Sequence, residues 1–87
     1  MPALKLTPEE IGTRGEAIYR LQLRAMLEAD HRGEFVAIDV ETGDFSIGTE
    51  AHEASDQLRL RHPDASILVE RIGYPAVFHV RSAGQSQ

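Results

Sequence analysis

At 87 residues the chain has room for one domain and one modest core, because a protein this short buries only about 60–65% of the surface its unfolded chain exposes. With 41% hydrophobic and 26% charged residues, no cysteine and a formal net charge of −5, it has an ordinary globular composition. That composition excludes disulfides and thiolate metal sites, and it disfavours nucleic acid as a partner.

The single lysine, Lys5, and the eight arginines are spread along the chain, whereas phosphate binders cluster their cations. The opening "MPALKLTPEE" has no long apolar stretch, so no signal peptide is expected. No apolar run approaches the roughly 20 residues that cross a bilayer, so no membrane association is expected. The lack of cysteine suits a reducing cytoplasm, the expected location. A single domain over residues 1–87 is expected, with 1–6 and 82–87 loosely ordered.

The first element begins at "TPEE". Thr7 can accept from first-turn N–H groups, Pro8 suits the first helical position, and Glu10 completes a capping box. The helix is expected to run to about Ala29, with Gly12 and Gly15 as weak points costing about 1 kcal/mol each against alanine. The alternative is a short first turn, a kink near these glycines, and a main helix over about 14–28.

Gly33 then takes the chain into a strand at about 34–40. On it Val36, Ile38 and Val40 point one way and Phe35, Ala37 and Asp39 the other. "ETGD" reads as a turn with Gly43 where positive φ is needed, and "DFSIG" as the second strand. Thr49 is placed to cap a second helix over about 50–61, with Ala51, Ala54 and Leu58 on one stripe. Pro63 ends that helix at His62. "SILVERIG" is a third strand and "AVFHV" a possible fourth. The expected core is Val36, Ile38, Val40, Phe45, Ile47 and Leu58, with either Leu68 and Ile72 or Ile67 and Val69 from the third strand. The expected fold is α+β: N-terminal helix, β-hairpin, helix, then one or two further strands, in a mainly antiparallel sheet with both helices on one face.

The hairpin "FVAIDVETGDF" resembles the strand that opens the active site of proofreading-type exonucleases, with Asp39 and Glu41 on one strand face as a two-metal site requires. Such a site also needs carboxylates from helices. The nearest counterpart, "HEASD" from His52 to Asp56, is one residue shorter than the His-x-Ala-x-x-Asp helix of that family. The acids are better read as solvated residues beside a turn. His31, His52, His62 and His79 have no zinc-ligand spacing. Ser46, Ser55, Ser66 and Ser82 lack a nucleophile setting, and the glycines form no phosphate-binding loop. No enzyme activity, metal or cofactor is therefore expected.

The first helix has a broad apolar surface. Glu16, Arg20, Arg24 and Glu28 occupy one narrow polar stripe, with Glu16 and Arg20 as a favourable ion pair. Tyr19, Leu23, Met26 and Leu27 form one apolar patch; Ile11, Ile18, Leu21 and Ala25 form another. The bulkier patch is assigned to the sheet. Ile11, Ile18, Leu21 and Ala25 are then the expected partner-binding face, used by another protein or by a second copy in an oligomer.

The segments Gly33 to Asp44, Ala54-Ser55, His62 to Asp64 and Arg71 to Gly73 together resemble a family of short uncharacterised bacterial proteins. Its members share a Gly-x-Phe-Val-Ala-Ile-Asp-Val-x-Thr-Gly-Asp-like hairpin, a His-Pro-Asp-like helix exit and an Arg-Ile-Gly-like strand end. Such proteins resemble the small partner of toxin–antitoxin-like gene pairs. The resemblance implies a non-enzymatic, antitoxin-like or regulatory role exercised by binding another small protein. Two alternatives remain: a small metal-dependent hydrolase using Asp39, Glu41 and a histidine, and a nucleic-acid-binding regulator presenting Arg59, Arg61, Arg71 and Arg81.

Overall fold

A computed structural model describes residues 6–74. The expected fourth strand at 76–80, residues 1–5 of the loose start expected at 1–6, and the loose end expected at 82–87 lie outside the described residues, as do His79 and Arg81.

The N-terminal helix starts as its capping signals require. The Thr7 hydroxyl accepts from the Glu10 N–H at 3.1 Å, and the Glu10 carboxylate accepts from the Thr7 N–H at 2.8 Å. Helix α1 (Pro8–Ile18) contains both weak-point glycines, and the irregularity comes after it. Tyr19–Leu23 forms a π turn, followed by α2 (Arg24–Asp30). Across this turn the Arg24 N–H donates to the Tyr19 carbonyl, five residues back. The reason is the spacing of the buried residues. Gly15, Tyr19, Leu23 and Leu27 recur at every fourth position and are all buried. A regular α-helix would carry the last of them about 120° away from the first. One extra residue in the turn takes back about 100° of that drift and keeps all four against the sheet.

The sheet has strands β1 (Phe35–Asp39), β2 (Phe45–Gly48) and β3 (Ile67–Arg71) in the order β2-β1-β3, with both pairings antiparallel. Helix α3 (Ala51–Arg61) links β2 to β3 across the central strand, making a split β-α-β unit. The α+β class and the antiparallel sheet are those the sequence leads one to expect.

The layering differs from expectation. Val36 sits opposite Ile47 and Glu70, and Ile38 opposite Phe45 and Leu68, so these residues share one face. Tyr19, Leu23 and Leu27 pack there with Val36, Ile38 and Ile72, flanked by Ile18, Phe45 and Ile47. The opposite face carries Ala37, against which Ala54 and Leu58 of α3 pack, flanked by Phe35, Ile67 and Val69. The two helices therefore cover opposite faces rather than one, and Leu58 belongs to a second cluster. The third strand supplies both of its candidate sets, one to each side. The cause lies in β1, where "FVAI" offers no polar residue to either face, the pattern of a strand buried on both sides.

Glycines set how closely each helix approaches. A Cβ on Gly15 would lie 2.7 Å from Leu68 Cβ, and one on Gly48 would lie 2.8 Å from the Ala54 nitrogen. The start of α3 also departs from expectation. Its N-cap is Glu50, and the organising group is the Glu53 carboxylate. One of its oxygens accepts from the Thr49 hydroxyl at 2.8 Å, the Thr49 N–H at 3.1 Å and the Glu50 N–H at 3.3 Å. These contacts, the Thr49 hydroxyl foremost, hold Glu53 below the ordinary carboxylate range.

Ile38 is fully buried, so Ile38→Ala should destabilise the domain by about 2–5 kcal/mol; urea denaturation at neutral pH measures it. Gly15→Ala tests the close approach. Helix propensity alone predicts a gain of about 1 kcal/mol, but the collision with Leu68 predicts a net loss of about 1–3 kcal/mol. A midpoint shift to lower urea confirms that packing dominates.

Candidate functional site

The sequence singles out the hairpin carboxylates. Asp39 is only 2% exposed at the end of β1, and its carboxylate folds back over the turn. One oxygen accepts from the Glu41 N–H at 3.0 Å and the other from the Thr42 hydroxyl at 2.9 Å. The Asp39 backbone closes the same turn, accepting from the Gly43 N–H and donating to the Asp44 carbonyl. Glu41 is exposed. The Asp-x-Glu motif thus builds a turn, and its two carboxylates do not form a pair.

Around this turn a polar cluster joins β2 to the end of α3. Asp44 accepts from Arg61 Nε at 2.9 Å and meets His62 Nε2 at 2.9 Å; His62 Nδ1 lies 3.6 Å from Asp39. Arg61, then His62, holds the Asp44 carboxyl well down, at about 2. The same groups close part of the sheet edge. The Phe45 N–H donates to Asp44 at 2.8 Å, and the Phe45 carbonyl accepts from Arg61 at 2.9 Å. Among the described residues, no group of three or more histidine or acidic side chains could hold a metal ion.

A second site was not anticipated. Between the N-terminal helix and the end of β3 lies a cavity of about 500 Å³, lined in part by Glu16, Arg24, Arg32 and Glu70. The Tyr19 hydroxyl donates to Glu28 at 2.9 Å and accepts from the Gly73 N–H at 3.3 Å. Burial chiefly, with Glu28 beside it, raises the Tyr19 phenol above its ordinary value. Arg24 lies 3.4 Å and Arg32 3.7 Å from the Glu28 carboxylate. Arg32 also donates to the Gly73 carbonyl at 3.0 Å, tying the end of α2 to the exit of β3. Glu16 was expected to pair with Arg20; it faces Glu70 instead. Burial first, and then the Glu16 carboxyl beside it, pushes Glu70 up to about 8. The signal was present in "ILVERI". Strand alternation puts Glu70 between Leu68 and Ile72, both buried residues of one face.

The third feature is the outer surface of the N-terminal helix. Tyr19 and Leu23 both face the sheet, so Leu21, midway between them, points away from it and is 74% exposed. Ala25 and Ala29 continue its stripe and are exposed. The other expected partner residues behave differently. Ile18 packs against the core cluster, and Ile11 is half-buried. Met26, assigned from the sequence to the sheet, is 52% exposed, because it precedes the buried Leu27 by one residue, about 100° around the helix. Leu60, at 84% exposure, stands on α3.

Of the arginines that the nucleic-acid alternative would need on one face, the described ones have separate partners. Arg59 donates to the Pro63 and Ala65 carbonyls, Arg61 serves the hairpin cluster, and Arg71 donates to the Gly33 carbonyl while lying 4.1 Å from the Tyr74 ring centre. No helix among the described residues is long and apolar enough to cross a membrane. Comparison with family models, curated proteins and solved structures gives no match.

Removing the Asp39 carboxylate would leave the Glu41 N–H and the Thr42 hydroxyl without their acceptor. Asp39→Ala should therefore destabilise the fold by about 1–3 kcal/mol. Asp39→Asn, which keeps one acceptor oxygen, should recover part of the loss in the same urea titration.

Proposed function

We propose that this chain is a non-enzymatic protein-interaction module that binds through the outer stripe of its N-terminal helix. The observation that carries this reading is the exposure of Leu21 at 74%, beside Met26 at 52%, with Ala25 and Ala29 exposed along the same helix. The core does not need these residues, because Tyr19, Leu23 and Leu27 already cover the sheet. Burying each large side chain at a contact is worth about 1.5–3 kcal/mol. The flanking alanines let a partner helix approach closely, which helps offset the cost of association. Helix-to-helix contact is favoured over strand addition at β2, because both outward backbone groups of Phe45 are occupied.

The antitoxin-like or regulatory sense of the module rests on the family resemblance. The partner is accordingly another small protein, or a second copy of this chain. The hydrolase alternative gains the approach of Asp39 and His62 at 3.6 Å, but both Asp39 oxygens already close the turn and Glu41 is exposed. The nucleic-acid alternative needs a continuous cationic face, and Arg59, Arg61 and Arg71 are each engaged at separate points in the fold.

Leu21→Glu is the decisive variant. It should keep the wild-type circular dichroism spectrum and melt within a degree or two of wild type, since the site is exposed. It should lose self-association in sedimentation, or capture of a stoichiometric small partner from the native host, because a contact would have to desolvate the new carboxylate. A wild-type chain that sediments as a monomer and retains no partner removes the support for this reading.

A further inference from the structure

The Glu16–Glu70 pair has no part in the helix stripe, yet it sits beside the close approach of α1 to β3. Gly15 brings α1 down onto Leu68, and a Cβ there would come within 2.7 Å of Leu68 Cβ. This approach brings the next helix residue, Glu16, against the next residue but one of β3, Glu70. Glu16 Oε1 and Glu70 Oε2 are both buried and have no hydrogen-bond partner among the described residues. Two carboxylates offer only acceptors to each other. Both oxygens are satisfied when one proton lies between them, as in paired acids that titrate as a unit.

We propose that Glu16 and Glu70 form a proton-operated latch: a single shared proton fastens α1 to β3, and its loss drives the two carboxylates apart and lifts α1 from Leu68. The surrounding charges do not relieve the pair. Arg24 of α2 and Arg32 of the following turn face the same cavity, but both lie within ion-pair distance of Glu28. Tyr19, from the π turn, donates its proton to Glu28. Tyr74, beyond β3, stacks against Arg71.

The direction of the pH effect follows from proton uptake. Glu70 titrates near 8 in the folded chain and from an ordinary value of 4.5 when unfolded, so the folded state holds the extra proton between these limits. The fastening is complete below about pH 4.5 and is lost as pH rises through about 8. Neutral pH lies on that slope, where modest changes in acidity alter how firmly α1 is held.

The test is a carboxyl-carbon NMR titration of the full chain from about pH 5 to 9.5, read together with the backbone amides of Gly15 and Leu68. One of the two carboxyls should titrate above pH 7, and both amides should shift with the same midpoint. The wild-type Tm should fall by about 10–20 °C between pH 6 and 9. Glu70→Gln, which donates to Glu16 at every pH, should remove both the late titration and the fall. Glu16→Gln, which removes the neighbouring carboxyl but leaves Glu70 buried, should lower the late midpoint and shrink the fall. Should either variant fail to fold, the wild-type titration decides alone. The latch is overturned if both carboxyls titrate by pH 5.5, if the late titration leaves the Gly15 amide unmoved, or if folded variants keep the wild-type pH slope. None of these readings involves a partner, so they stand or fall separately from the interaction-module proposal.

Discussion

The fold rests on the two-sided burial of β1. Val36, Ala37 and Ile38 have no exposed surface, so a strand of five residues must be covered above, below and along both edges. A short chain can do this only with thin layers, and each layer is adapted accordingly. The N-terminal helix approaches β3 through Gly15, and α3 approaches β2 through Gly48. The α3 side of the sheet is built from small residues, Ala37 and Ala54, with Leu58 as the one large buried side chain. The N-terminal side takes the bulk: Tyr19, Leu23 and Leu27 against Val36, Ile38 and Ile72. Two-sided burial also forces the connection from β2 to β3 to cross over the central strand, which is why α3 lies where it does.

Several features set by local chemistry were legible in the sequence. The capping box at Thr7 and Glu10, the turn through Gly43 and the exit at His62-Pro63 each depend on a few neighbouring residues, and each appears where the sequence places it. Features set by the choice between two apolar surfaces were not. "FVAI" is apolar on both faces, so periodicity alone cannot say how many of those faces a helix will cover. Met26 and Ile18 exchanged roles for a similar reason, since each sits beside a core residue and the π turn alters the phase between them. The Glu16–Glu70 contact was hidden more deeply. On its own helix Glu16 reads as one member of a solvated stripe, and only the approach of α1 to β3 turns it inward.

The hairpin shows how little a local motif fixes by itself. Asp39 stands on a strand, two residues before Glu41, in the arrangement a metal site would use. The same carboxylate is also the right length to accept from the N–H two residues on, and Thr42 supplies a hydroxyl to its other oxygen. Once both oxygens are occupied, Asp39 is a structural residue. Its environment then draws in His62, Asp44 and Arg61 to join the end of α3 to the start of β2. The chemistry of the group is unchanged; what its neighbours ask of it is different.

The π turn at Tyr19–Leu23 bears on how this chain can vary in length. A π turn is an α-helix carrying one residue more than its pitch requires, and here the surplus falls among Arg20, Leu21 and Gln22, all exposed. Losing one of the three would return the segment to regular α-helix while leaving Gly15 and Leu27 in phase with the sheet, within about 20°. Elsewhere in this helix a one-residue deletion would rotate everything beyond it by about 100° and turn buried side chains to water. The turn is therefore a seam at which the helix can shorten without disturbing the core. A chain one residue shorter there would keep the same fold and present a differently spaced outer stripe.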